Sequence, residues 1–207
     1  MKKENLRKVV FLDRDGVINR DSPDYIKSWS EFEFLPGSLE AIRLLTLNEF
    51  AVIVITNQSV INRKMVSGKG LDDLHTLIKK AVTSNGGQIK DIFYCPHVPE
   101  DRCSCRKPNP GLIFKAKEKY RIHIATSVMV GDSAKDIECA RNAGCGHAVL
   151  VKTGNGEEAE KILKGLCGTA SDAVDAVKLE IPQGFKLLKF KMSEYLKNIV
   201  KLIISKI

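Results

Sequence analysis

The chain has 207 residues and a mass of 23.0 kDa, which suits one domain with at most an appendage. Hydrophobic residues make up 43% and charged residues 28%, which excludes a disordered composition. No uncharged apolar run approaches the roughly 18 residues of a membrane-spanning helix. The formal charge is +8, yet residues 183–207 hold six Lys against one Glu and so carry +5 of it. The remaining +3 is too little for a broad nucleic-acid groove on the main body, so no nucleic-acid partner is expected.

Apolar runs at Val9–Leu12, Ala51–Ile55, Ile92–Tyr94, Val128–Val130 and Ala148–Val151 are short, continuous and mostly β-branched or aromatic. Such runs predict strands buried on both faces. The first run is stopped by Asp13 and is too short for a secretion signal, so a cytoplasmic location is expected. Between the runs lie helical patterns at 38–48, 71–83, 111–120, 134–143 and 157–164. In the second, Leu71, Leu74, Leu77, Ile78 and Ala81 form the apolar stripe. Strands alternating with helices predict an α/β fold: a Rossmann-like parallel sheet with helices on both faces. A boundary is expected at Ile181-Pro182-Gln183-Gly184, dividing a domain over 1–182 from a Lys-rich tail over 183–207.

Ligands of such folds sit beyond the carboxyl ends of the strands. Asp13-Arg14-Asp15-Gly16 follows the first apolar run, and Thr56-Asn57-Gln58-Ser59 the second. Cys95 and then Arg106-Lys107 follow the third, and Gly131-Asp132-Ser133-Ala134-Lys135-Asp136 the fourth. Converging carboxylates repel one another, and a hard divalent cation such as Mg²⁺, which takes oxygen ligands, relieves that repulsion. With Thr and Lys nearby, the set can neutralise and position a phosphoryl group. An Asp can attack phosphorus, and a second Asp two residues away can exchange the protons.

Phe-Leu-Asp13-Arg-Asp15-Gly-Val-Ile, Thr56-Asn, Lys107-Pro and Gly-Asp132-Ser-Ala-Lys-Asp136 resemble the four motifs of the haloacid-dehalogenase superfamily of phosphohydrolases over about residues 8–180. The resemblance implies Asp13 as nucleophile and Asp15 as general acid/base. It implies Thr56 and Lys107 as holders of the phosphoryl group. Mg²⁺ would then be bound by Asp13, the Asp15 carbonyl and Asp132, with Asp136 in support. Forty-two residues separate Asp13 from Thr56, which leaves no room for a large cap insertion, so an open, capless site is expected.

Cys95-Pro-His97, five residues, then Cys103-Ser-Cys105 supplies three thiolates and an imidazole within eleven residues, a set suited to a closed tetrahedral Zn²⁺ site. The loop over 95–105 leads directly into Arg106-Lys107. Cys139, Cys145 and Cys167 are expected to be small core residues. The run Cys-Pro-His…Cys-x-Cys-Arg-Lys-Pro-x-Pro-Gly resembles the D-glycero-D-manno-heptose 1,7-bisphosphate 7-phosphatases; the related histidinol-phosphate phosphatases share the zinc loop. Ser59, Asn109-Pro110-Gly111 and the stretch from Ile18 to Gly37 favour the heptose group.

That resemblance implies removal of the C7 phosphate of a heptose bisphosphate on the way to surface polysaccharides. The implied partner is a small phosphorylated sugar, and the chain is expected to act as a monomer. Arg106 would recognise the substrate, with Asp21, Tyr25, Asn57, Gln58 and Ser59 lining the pocket. The alternatives are a histidinol-phosphate or other small sugar-phosphate phosphatase and, outside enzymes, a zinc-loop protein that binds nucleic acid. One departure stands out. The family usually carries Gly after that Ser and then an Arg-Gly pair, where this chain has Val60-Ile61-Asn62-Arg63-Lys64. A left-handed backbone there would be strained. In the tail, Leu188, Met192, Tyr195 or Leu196, Ile199, Ile203 and Ile207 recur at helical spacing. This predicts a basic amphipathic helix, packed on the body or a partner, or lying on an anionic membrane.

Overall fold

The computed structural model describes residues 6, 8–165 and 186–190. Its centre is a parallel six-stranded sheet with the order β3-β2-β1-β4-β5-β6. The strands are β1 (Val9–Leu12), β2 (Ala51–Asn57), β3 (Ile89–Cys95), β4 (Val128–Gly131), β5 (His147–Val151) and β6 (Lys186–Phe190). The helices are α1 (Ser38–Leu47), α2 (Gly68–Ser84), α3 (Gly111–Tyr120), α4 (Ala134–Ala143) and α5 (Gly156–Gly165). The α/β class, the parallel sheet and the helix positions follow the expectation from sequence.

The two-residue period of the strands divides the core. Val10, Leu12, Val52 and Val54 pack with Ile42 and Leu45 of α1 and with Leu71, Leu74 and Ile78 of α2. Val9, Phe11, Ile53 and Ile55 face the other way, onto Leu112 and Ile113 of α3, Ile137 and Ala140 of α4, and Ala159 of α5. Both faces are therefore covered, which is why the strands read as unbroken apolar runs. Cys139 and Cys145 are buried in the second cluster, as core residues should be. Cys167 lies outside the described residues.

Two details depart from the sequence reading. In α2, Leu77 is 38% exposed, and His75 takes an inward position instead. The tail expectation also fails over its five described residues. Lys186–Phe190 is a strand, β6, paired in parallel with β5 from His147↔Lys186 to Val151↔Phe190. Five residues are too few to separate helical from strand periodicity, and the free edge of β5 supplies backbone partners that periodicity does not register. The rest of the amphipathic pattern over 183–207 lies outside the described residues. Among the described residues no helix is long and apolar enough to cross a membrane.

Strand register sets the site. Leu12 pairs with Val54 on one side and with Val130 on the other. Asp13, Thr56 and Asp132 therefore emerge at one edge of the sheet. Asn57 pairs with Cys95, which brings the start of the zinc loop to the same edge. Between β1 and α1 a short flap carries the stacked and edge-on rings of Trp29, Phe32 and Phe34 and closes on itself through an antiparallel bridge between Asn19 and Phe34. No cap domain occupies this insertion.

Candidate active site

Lys107 lies at the centre of the edge. Its ammonium is buried and sits 2.8 Å from Asp13 Oδ1 and 2.5 Å from Asp136 Oδ1. The main chain of Lys107 is clamped by Asn57. The Lys107 N–H donates to Asn57 Oδ1 at 3.1 Å, and Asn57 Nδ2 donates back to the Lys107 carbonyl at 3.2 Å. Asp136 is fully buried and caps α4, accepting from the Ser133 N–H at 3.0 Å and from its hydroxyl at 2.7 Å. Asp132 Oδ2 accepts from the Asn155 N–H at 2.8 Å. A Cβ on Gly16 (φ 78°) or on Gly154 (φ 51°) would overlap Asp132 Oδ2, so both positions require glycine for space as well as for backbone.

The electrostatics reflect three carboxylates facing one ammonium. Burial raises the pKa of Asp13 well above the usual range; Lys107 opposes this, while Asp136 and Asp132 add to it. Burial, and then the charge of Asp136, push Asp132 up to about 7. Burial alone would lower the pKa of Lys107, but Asp13 and Asp136 outweigh it and hold the ammonium charged. One carboxylate oxygen from each of Asp13, Asp132 and Asp136 lies within 4.8 Å of the other two. An excess of buried negative charge on oxygen ligands at that spacing fits a hard divalent cation, and Mg²⁺ fits the donor set.

Asp15 is held differently. The Arg14 fork donates to it through Nη2 at 2.9 Å and 3.0 Å and through Nε at 3.1 Å. Asn19 Nδ2 donates to Oδ1 at 2.8 Å, and Gln58 Nε2 donates to Oδ2 at 2.8 Å. Gln58 Nε2 also reaches the Thr56 hydroxyl at 2.9 Å. The amides of Asn57 and Gln58, both expected on substrate, are thus engaged with Lys107 and with Asp15 and Thr56. Asn57 still borders the cavity; Gln58 is buried behind it.

That cavity measures about 630 Å³. It is lined by Asp13, Asp15, Thr56, Lys107 and Asp132 at its floor and by Asp21, Tyr25, Ser59 and Arg106 higher up. Three further lining residues, Arg63, Lys135 and Asn155, were not singled out from sequence. Arg63 sits 5.7 Å over the ring of Tyr25, joining the flap to the β2–α2 loop across the mouth. Asn155 Nδ2 bridges Asp21 Oδ2 at 3.1 Å and Asp132 Oδ2 at 3.3 Å. Tyr25 has φ 63° and Lys64 has φ 56°, both in the left-handed region. The expected strain in the glycine-depleted loop is therefore present at Lys64, whereas Val60 is buried without a left-handed backbone.

The zinc-loop residues come together beside this cavity. Cys95 Sγ lies 3.6 Å from Cys103 Sγ, 3.3 Å from Cys105 Sγ and 3.5 Å from His97 Nδ1. Cys105 Sγ lies 3.4 Å from Cys103 Sγ and 3.4 Å from His97 Nδ1. These separations are far too long for disulfide bonds. A tetrahedral Zn²⁺ with bonds of about 2.3 Å to sulfur and 2.0–2.1 Å to nitrogen would space its ligands by roughly 3.5–3.8 Å, so the set fits zinc within a few tenths of an ångström. Burial pushes the Cys95 thiol up to about 12. Burial also acts upward on Cys103, but hydrogen bonds from the Cys105 thiol and main chain and from Cys95 draw it down to about 7.

The loop also builds the cavity wall. The Arg106 main-chain N–H points at Cys103 Sγ, and Arg106 Nη1 donates to the His97 carbonyl at 2.9 Å. Asn62 Nδ2 donates to Asp101 Oδ2 at 2.8 Å, tying the loop to the β2–α2 connection.

Comparison with known proteins agrees with this geometry. The HAD-hydrolase-like family profile matches residues 104–172. The chain is 42% identical over 151 residues to the D-glycero-β-D-manno-heptose-1,7-bisphosphate 7-phosphatase of Bordetella bronchiseptica, covering 73% of this chain and 84% of that one. It is 45% identical over 150 residues to the enzyme of the same name from Pseudomonas aeruginosa, covering 72% and 84%. The crystal structure of the B. bronchiseptica D,D-heptose 1,7-bisphosphate phosphatase with magnesium and phosphate superposes with a TM-score of 0.79 at 34% identity, covering 97% of this chain and 99% of that one. The chain is a phosphatase of the HAD-like fold and belongs to the heptose-1,7-bisphosphate 7-phosphatase family.

Proposed function

We propose that this chain removes the C7 phosphate of D-glycero-β-D-manno-heptose 1,7-bisphosphate through an aspartyl-phosphate on Asp13. The observation that carries the reading is one cavity floored by Asp13, Asp15, Thr56, Lys107 and Asp132, in a chain whose relatives bear that activity. Asp13 attacks phosphorus as the bond to the C7 oxygen breaks, and Asp15 gives that oxygen its proton. Asp15 then takes a proton from water as the water attacks phosphorus, which frees phosphate and restores the Asp13 carboxylate. Lys107 keeps Asp13 in place and shares the charge of the phosphoryl oxygens. Mg²⁺, held by Asp13, the Asp15 carbonyl and Asp132 with Asp136 behind them, would supply further neutralisation of the phosphoryl oxygens.

The upper cavity suits a second dianion and a polyol. Arg63, Arg106 and Lys135 line it, with Asp21 and Asn155 beside them as hydroxyl partners. The zinc loop acts as a structural wall that sets Arg106. We read residues 1–182 as the phosphatase domain and 183–207 as an appendage that contributes β6 to the edge of its sheet. The test compares phosphate release from heptose 1,7-bisphosphate and histidinol phosphate, with ³¹P NMR to show which phosphate leaves. The expected result is a kcat/KM at least a hundredfold higher for the bisphosphate, with loss at C7. Preference for histidinol phosphate, or loss of the C1 phosphate, overturns the reading.

A further inference from the structure

His75 has no part in the chemistry described so far, yet it is a buried polar residue on the core side of α2, between Leu71, Leu74 and Ile78. An apolar side chain would serve that contact, and a buried imidazole needs a hydrogen-bond partner. Its Nε2 lies 3.5 Å from Arg14 Nη1. Arg14 is 1% exposed and is among the largest fully buried side chains of the protein. A guanidinium has donors only, so the contact requires His75 to accept at Nε2, as a neutral ring with its proton on Nδ1. Burial and the neighbouring charge of Arg14 lower the His75 pKa to about 3, consistent with a neutral ring. The Tyr94 ring, 5.6 Å away centroid to centroid, packs on the imidazole and limits its rotation.

The other side of the guanidinium forks onto both oxygens of Asp15. Asp15 borders the cavity and keeps 22% side-chain exposure, so its orientation rests on what holds it from behind. We propose that His75 is a positioning residue for proton transfer: through Arg14 it fixes the plane of the Asp15 carboxylate toward the leaving oxygen and the attacking water. The chain from α2 to the site is His75 to Arg14 to Asp15, with Gln58 and Asn19 completing the cradle. Displacing a reacting group by about 1 Å can cost a hundredfold in rate, so an acceptor two residues removed from the chemistry can govern turnover.

This inference rests on the assignment of Asp15 as acid and base, and Asp15→Asn serves as the reference for it. The test pairs His75→Gln, whose amide oxygen can accept from Arg14, with His75→Met, which matches it in length and has no comparable acceptor. Two reactions are compared in the magnesium- and zinc-loaded enzyme. One is steady-state phosphate release from heptose 1,7-bisphosphate, whose alkoxide needs a proton. The other is the pre-steady-state burst of p-nitrophenolate from p-nitrophenyl phosphate, whose leaving group needs none.

In His75→Met the steady-state kcat should fall about tenfold or more at nearly constant KM, while the burst rate changes less than about threefold. His75→Gln should recover most of the kcat. Equal losses in both reactions, no loss in either, or no advantage of Gln over Met would each overturn the role of His75. If Asp15→Asn itself lacks the selective loss, the assignment of Asp15 fails rather than that of His75.

Discussion

Two clusters of ligand-type side chains lie at the same edge of the sheet, and their surroundings give them opposite uses. The thiolate–imidazole cluster is closed: five of its ligand separations fall between 3.3 and 3.6 Å, leaving no room for a further ligand inside. The carboxylate cluster is open: Asp13 and Asp132 border a cavity of about 630 Å³, and only Asp136 is wholly enclosed. Soft, closed ligation makes a staple, whereas hard, open ligation makes a reactive centre. The two meet through the dipeptide Arg106-Lys107. One residue is anchored to the zinc loop, and the next reaches into the carboxylates. The zinc loop thus sets two neighbouring positions, one lining the upper cavity and the next facing the carboxylates.

The strongest way to break this distinction is to remove one member of each cluster. Asp13→Asn should lower kcat about a thousandfold or more while leaving zinc content unchanged and without lowering the melting temperature. Cys103→Ser should act first on the fold. It should lose the roughly one zinc per chain that metal analysis of the parent should find, melt several degrees lower, and drop in activity about ten- to a hundredfold as Arg106 and Lys107 lose their anchor. If Cys103→Ser keeps full activity without zinc, the loop does not set the site.

The carboxylates also predict a pH dependence. Asp132 sits at about 7 in the folded protein and near 3.9 when unfolded, so between those values the folded state binds more protons. Without magnesium, stability should be fully present below about pH 4 and decline as the pH rises toward 7, by up to a few kcal/mol. The raised pKa of Asp13 acts in the same direction. In zinc-replete, magnesium-free buffer the melting temperature should fall from pH 5 to pH 8. Added Mg²⁺ should raise it more at pH 8 than at pH 5, and the same increment at both values would contradict the coupling.

The smallest effect concerns the loop between the clusters. Lys64 holds a left-handed backbone that glycine adopts freely, so Lys64→Gly should stabilise by about 0.5–1 kcal/mol after the entropic cost of glycine. Calorimetry should show a rise of about 1–4 °C, and a fall would mean that the side chain compensates its own strain.

Much of this was legible in the sequence because strand ends are where β-branched runs stop. Asp13, Thr56 and Asp132 could be placed at one edge without knowing strand order, since parallel pairing aligns carboxyl ends. The CxC and CPH spacing likewise carried the zinc cluster. What the sequence did not show was side-chain commitment. Asn57 and Gln58 stand in the motif like pocket residues, yet their amides are engaged by Lys107, Asp15 and Thr56. Arg63, Lys135 and Asn155 reach the cavity from loops and a helix start whose path periodicity cannot give.

Edges were also harder than the centre. Ile89–Cys95 is longer than its apolar segment because its middle residues are only half-buried, and β6 was hidden in a helical pattern. Removing residues 184–207 therefore deletes an edge strand, and its effect should appear in stability before it appears in kcat.

The central claim is that Asp13 becomes phosphorylated, and acid-quenched mass spectrometry tests it most directly. Asp15→Asn mixed with p-nitrophenyl phosphate should accumulate the intermediate, because transfer to Asp13 needs no acid there while hydrolysis lacks its base. The peptide carrying Asp13 should gain the mass of one phosphoryl group, and the Asp13→Asn, Asp15→Asn double variant should show none. A phosphoryl group on another residue, or steady turnover by Asp13→Asn without any labelled peptide, would contradict the account.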